Sequence, residues 1–159
     1  MRSVCEYPRG LKRKEEATGG QKEGMSVIIA VDFDGILCEN RFPEIGPQHD
    51  EMVSFIREVI DKGHEVVLWT SRVGEELTAA VDWCEVRGIH FCAVNENAPS
   101  NIAKYKAKYP SGTRKVYADV YIDDHNPNFV VVQDVFSTGT AVDITIKNVR
   151  RILEWNEEN

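Results

Sequence analysis

From Ser26 to Phe33 the chain reads SVIIAVDF, an unbroken apolar and β-branched run that admits few folds. A strand with apolar side chains on both sides has to be covered on both faces, as happens in a parallel sheet sandwiched between helices. The run ends abruptly on Asp32-Phe33-Asp34-Gly35, so two acids stand where an otherwise buried strand meets solvent. Alternation along a strand sends Asp32 and Asp34 to one side and Phe33 to the other.

The rest of the chain repeats a strand and helix rhythm. Asp50 to Lys62 puts Met52, Val53, Ile56, Val59 and Ile60 on one helical face, with Gly63 as a stop. Glu65 to Thr70 (EVVLWT) reads as a second buried strand. Gly74 to Arg87 carries an apolar stripe of Leu77, Ala80, Val81 and Cys84, closed by Gly88, and Ile89 to Val94 (IHFCAV) is a third strand. After the polar turn NENAPS and a short helix over Asn101 to Lys108, a fourth strand from Val116 to Ile122 ends on Asp123-Asp124. Phe129 to Val132 adds a short fifth strand, and Asp143 to Trp155 forms a last amphipathic helix. Strands separated by helices imply right-handed βαβ crossovers, hence an α/β, Rossmann-like three-layer sandwich with a mainly parallel sheet.

The 159 residues suit one domain, assigned to residues 25–159. Residues 1–24 are polar, mixed in charge and broken by glycine and proline, and read as a flexible leader or extension. A formal charge of −7 argues against general attraction to nucleic acid or to an anionic membrane, while local basic groups can still bind a phosphate. Cys5, Cys38, Cys84 and Cys92 show no CxxC spacing and read as reduced thiols. With neither a membrane-length apolar run nor a secretory signal, the expected location is cytoplasmic.

In open α/β sheets ligands bind at the carboxyl ends of the strands. Here those ends carry Asp32 and Asp34, then Thr70-Ser71-Arg72, then Asn95-Glu96-Asn97, then Asp123-Asp124. Several carboxylates at one edge repel one another unless a cation sits among them, and an oxygen-only donor set suits Mg²⁺. Magnesium in turn favours phosphate, whose other oxygens Thr70 and a lysine would bind. Ser71, Arg72 and Asn95 lie where a substrate would reach. His125 follows the acidic pair, whereas His49, His64 and His90 read as structural. Trp69, Trp83 and Trp155 read as packing residues.

These strings resemble a known family. VDFDGIL is similar to motif I (DxDG) of the haloacid dehalogenase superfamily, VVLWT to its motif II, and YIDDHN to its acidic motif IV, in the same order and strand context. The resemblance spans about Ser26 to Asn126 and implies a phosphatase working through an aspartyl phosphate. It makes Asp32 the nucleophile and Asp34 the proton carrier for the leaving alcohol and then for water. Thr70 would hydrogen-bond the phosphoryl group, and Lys115, with Lys104 second, would be the motif III lysine. Mg²⁺ would be held by Asp32, by the backbone carbonyl of Asp34 and by Asp123 or Asp124.

The stretches from Asp32 to Thr70 and from Thr70 to Asp123 are consumed by the sheet and its helices, leaving no room for an inserted cap domain. The open site would then be closed by a flap from Gly35 to Pro47, which carries Arg41, Phe42, Pro43 and Ile45, or by a second subunit in a homo-oligomer. The expected partner is a small phosphorylated substrate. Two alternatives share these residues: a non-catalytic phospho-acceptor or phosphate-binding module of the receiver kind, and a phosphotransferase of the same fold. Receivers phosphorylate an aspartate at strand three, where this chain has Val94-Asn95.

Overall fold

The computed structural model describes residues 26–110, 112–125 and 146–153. Six strands and three helices follow in the order β1 (Ile28–Val31), β2 (Cys38–Arg41), β3 (Glu44–Gln48), α1 (Asp50–Asp61), β4 (Glu65–Leu68), α2 (Gly74–Val86), β5 (Ala93–Val94), α3 (Pro99–Tyr105) and β6 (Val120–Ile122). A fourth helix, α4, occupies 146–153. The expected strand at Phe129–Val132, the leader, Trp155 and the ends of the last helix lie outside the described residues.

The main sheet runs β5-β4-β1-β6, and each neighbouring pair is parallel. It is an α/β fold compatible with a Rossmann-like architecture. The chain builds outward from β1 through β4 to β5, then crosses back to place β6 on the other side of β1. That reversal opens a crevice at the carboxyl ends of β1 and β6, where such sheets hold their ligands.

Both faces of β1 are buried, but by unequal layers. Ile29, Val31 and Phe33 face a core with Met52, Ile56 and Val59 of α1, Ala80, Val81 and Cys84 of α2, and Val149 and Leu153 of α4. Burying each large aliphatic side chain of this set is worth about 1.5–3 kcal/mol. Ile28, Ala30 and Val67 face a thinner layer with Ala93, Ala98, Val116 and Ala118. No residue of α3 is itself buried, so this face is covered by one short helix and the segments flanking it.

The strands are shorter than the apolar runs that encode them. β4 stops at Leu68 because the Thr70 N–H turns to the Asn95 side chain (2.8 Å) instead of a neighbouring strand. The expected third strand from Ile89 shrinks to Ala93–Val94, and the fourth from Val116 shrinks to Val120–Ile122. The flap is not an irregular loop. It is an antiparallel hairpin, β2 with β3, folded around a Phe42-Pro43 turn. Among the described residues no helix is long and apolar enough to cross a membrane.

Candidate functional site

At the carboxyl end of β1 the Asp32 N–H still bonds to Ile122 O (2.9 Å), which ties it to the end of β6 and so to Asp123 and Asp124. One carboxylate oxygen from each of Asp32, Asp123 and Asp124 comes together, all within 4.8 Å of one another. Burial pushes the Asp32 carboxyl up to about 6, with the charges of Asp123 and Asp124 adding to it. The Phe33 N–H (2.7 Å) and the Thr70 side chain hydrogen-bond Asp32 and pull the other way.

Asp124 Oδ1 is buried and lacks a hydrogen-bond partner, with His125 Nε2 at 3.7 Å. An unpaired buried carboxylate oxygen is costly. Three carboxylate oxygens this close to one another suit a divalent cation, and the residues present could hold one. Gly35 makes the approach possible: it sits at φ +80°, and a Cβ there would come within 2.8 Å of Asp124 Cγ.

Asp34 departs from the simple alternation expected of the strand. The chain has already turned after Val31, and Asp34 sends its carboxylate to Arg72 instead of to the Asp32, Asp123 and Asp124 cluster. Arg72 Nε donates to Asp34 Oδ2 and Nη2 to Oδ1, both at 2.7 Å. The same guanidinium donates to the carbonyls of Pro43 (2.9 Å) and Glu44 (3.0 Å), at the hairpin tip. It lies 5.0 Å from the Phe33 ring centre and 5.3 Å from that of Phe42. Arg72 is only 2% exposed, and its guanidinium forms a buried strut between Asp34 and the hairpin. The Asp34 side chain therefore lies outside the carboxylate cluster, and the ligand expected from that residue is its backbone carbonyl.

Asp32, Asp34, Thr70, Ser71, Arg72, Asp124 and His125 line one cleft of about 380 Å³, together with Asn40 and Phe42 of the hairpin. The hairpin reaches the cleft through Asn40 and Phe42, and Phe42 stays 61% exposed. Thr70 Oγ1 accepts from the Arg72 N–H (3.3 Å), which orients the hydroxyl beside Asp32.

The other expected residues fall elsewhere. Neither Lys115 nor Lys104 is among the residues lining the cleft; Lys115 lines a separate groove, and Lys104 lies over the Tyr105 ring. Asn95, at φ 53°, spends its Oδ1 on the Thr70 N–H, and Asn97 spends its own on the Tyr117 N–H (2.7 Å). Glu96 and His90 are exposed, His49 Nδ1 meets Ile36 O, and His64 Nδ1 accepts the Val27 N–H.

No protein-family model and no curated protein matches the chain. Among solved structures it is similar to a conserved protein from Bacteroides thetaiotaomicron, at 30% identity and a TM-score of 0.62, over 80% of this chain and 92% of that one. The chain belongs to that protein's family. Kinship at this level carries the α/β framework, and what the cleft does follows from its own side chains.

Sequence reasoning missed two contributions. The strut role of Arg72 had one available signal, a lone arginine directly after the polar end of a buried strand. Asn40 had none, because its place in the cleft follows from the hairpin's fold.

Proposed function

We propose that the chain is a magnesium-dependent phosphomonoester hydrolase of haloacid dehalogenase type, without a cap domain, in which Asp32 is the nucleophile. One observation carries this reading: one carboxylate oxygen each from Asp32, Asp123 and Asp124 lies within 4.8 Å of the others at the crevice between β1 and β6. A structural acid cluster would have arginine or lysine partners, whereas the arginine present is committed to Asp34.

Bound there, Mg²⁺ would neutralise the carboxylates and the developing charge on the phosphoryl oxygens. The chain's own residues divide the remaining work. Asp32 attacks phosphorus, the P–O bond to the alcohol breaks, and an aspartyl phosphate forms. Thr70 and the polar cleft wall hold the phosphoryl oxygens. Asp34 is the proton carrier: it supplies the proton the leaving alcohol needs, then takes one from the water that hydrolyses the intermediate and releases phosphate. Both its oxygens accept from Arg72 in an ion pair, so before the first step one of those bonds has to open and Asp34 has to take a proton from the monoanionic phosphate ester, which it then passes to the leaving alcohol. The hairpin carbonyls on the same guanidinium tie that event to the lid, which limits water entry.

The Arg72–Asp34 pair also favours a second reading, in which the phosphorylated Asp32 persists and the protein acts as a phospho-acceptor. Rapid-quench assay with an aryl phosphate separates the two. Steady phosphate release that needs Mg²⁺ and is lost in Asp32→Asn supports the hydrolase; a single stoichiometric burst with no turnover supports the acceptor; and no burst with no turnover overturns both.

A further inference from the structure

A second cavity lies away from the carboxylates. It is a groove of about 540 Å³ between α3 and the segment entering β6. Four of the chain's five tyrosines line it: Tyr105, Tyr109, Tyr117 and Tyr121. Three of these remain 41–49% exposed, although tyrosine rings ordinarily seek cover. The Tyr105 and Tyr109 rings are 6.4 Å apart and tilted by 44°, so they do not stack on each other.

The surrounding charge is as unusual as the rings. Between Asn97 and Ala118 there is no aspartate or glutamate, while Lys104, Lys106, Lys108, Arg114 and Lys115 all fall there, in a chain whose formal charge is −7. Lys106 and Lys115 line the groove itself. Lys104 and Lys108 lie 5.4 and 5.3 Å from the Tyr105 and Tyr109 ring centres. The nearby carboxylate of Asp119 is occupied, accepting from Tyr117 OH (2.6 Å) and from the Ile28 N–H (2.8 Å).

We propose that this groove binds single-stranded nucleic acid, with bases stacked on the exposed tyrosine rings and backbone phosphates facing the lysines. Exposed aromatic faces interleaved with cations are what unpaired bases on a charged backbone require. A purely apolar ligand would have no use for the cations. A duplex hides its base faces inside the stack. A single nucleotide carries its charge at one end, whereas here the cations extend from Lys104 to Lys115 along the whole segment. The net charge of the chain argues only against a general electrostatic attraction, and this stretch is a local exception to it. The proposal is independent of the phosphatase reading, although one short loop touches both places: Asn95 bonds Thr70 at the cleft and Asn97 bonds Tyr117 at the groove.

The test is fluorescence anisotropy of the full chain with labelled single strands of about twelve nucleotides, enough to span one site of this kind, in EDTA so that no hydrolysis intrudes. Binding is expected to weaken with salt, with a log–log slope of about −0.7 per neutralised phosphate. Replacing Lys106 and Lys115 together by alanine should reduce the size of that slope by about 1.4. Tyr105→Ala and Tyr109→Ala should each weaken binding about tenfold, with Tyr→Phe at the same positions restoring it. Circular dichroism of each variant checks that it is folded. Equal affinity for inorganic polyphosphate or for the matching duplex would overturn the proposal, as would tyrosine variants that bind normally. Absence of binding also overturns it: light scattering that then shows a dimer lost in Tyr109→Ala assigns the groove to a second copy, and a lowered thermal midpoint in that variant assigns it to the chain's own cover.

Discussion

Arg72 meets Asp34 edge to edge, with Nε and Nη2 each 2.7 Å from a different carboxylate oxygen, while the same guanidinium holds the carbonyls of Pro43 and Glu44. The pair joins three parts of the chain that are distant in sequence: the end of β1, the loop after β4 and the hairpin tip. Removing one partner of such a buried pair leaves the other charge stranded, at a cost of about 3–5 kcal/mol. Arg72→Ala is expected to lose that much in urea unfolding, and Arg72→Lys to recover only part of it, because an ammonium cannot reproduce the planar fork. A loss below about 1 kcal/mol, typical of an exposed pair, would show that the strut carries no load.

Metal should act on stability as well as on turnover. Asp32, Asp123 and Asp124 repel one another when no cation is among them, and binding to the native state alone stabilises it by about 2.7 kcal/mol at a hundred times Kd. Mg²⁺ is therefore expected to raise the thermal midpoint of the wild type. Asp124→Asn should raise the midpoint in EDTA and abolish the response to Mg²⁺. Equal responses in the two proteins would remove Asp124 from the ligand set.

Asp32→Asn is expected to fold normally, since the amide has nearly the volume of the carboxylate, and to lose at least about a hundredfold in aryl phosphate turnover. Circular dichroism with a phosphate-release assay reads both. Retained activity would mean that another group attacks phosphorus.

Gly35 has no room for a side chain. At φ +80°, and with an added Cβ only 2.8 Å from Asp124 Cγ, Gly35→Ala combines backbone strain with displacement of a cluster carboxylate. Strain of this kind costs about 1–3 kcal/mol, and the larger sign of the change should be the lost midpoint shift with Mg²⁺. A variant that keeps the shift would show that Asp124 has freedom to move.

Burial pushes the Cys84 thiol up to about 12 and the Cys38 thiol up to about 11, so neither forms much thiolate near neutral pH. In the folded protein both should resist iodoacetamide, read site by site by mass spectrometry, and both should react once urea unfolds the chain. Rapid labelling of Cys84 under native conditions would contradict the packing between α2 and the sheet.

Much of the framework was legible in the residues themselves. The run from Ser26 to Phe33 can be buried only in a covered sheet, and the stripe through Met52, Ile56 and Val59 can be only a core-facing helix. The acids at Asp32 and at Asp123-Asp124 are placed at the strand ends by the same apolar runs that make the strands. These are local consequences of periodicity and burial, so a single segment suffices to reveal them. What lies between segments depends on how they pack. The direction of the Asp34 carboxylate was decided by Arg72, brought to it by the β1–β4 pairing, and the flap became a hairpin whose tip the same guanidinium holds. Lys115 was placed by sequence order beside the chemistry, but the crossover into β6 carries it to the tyrosine groove. Sequence spacing sets how far a side chain is along the chain, and only the packed sheet decides which partner competes most strongly for its charge.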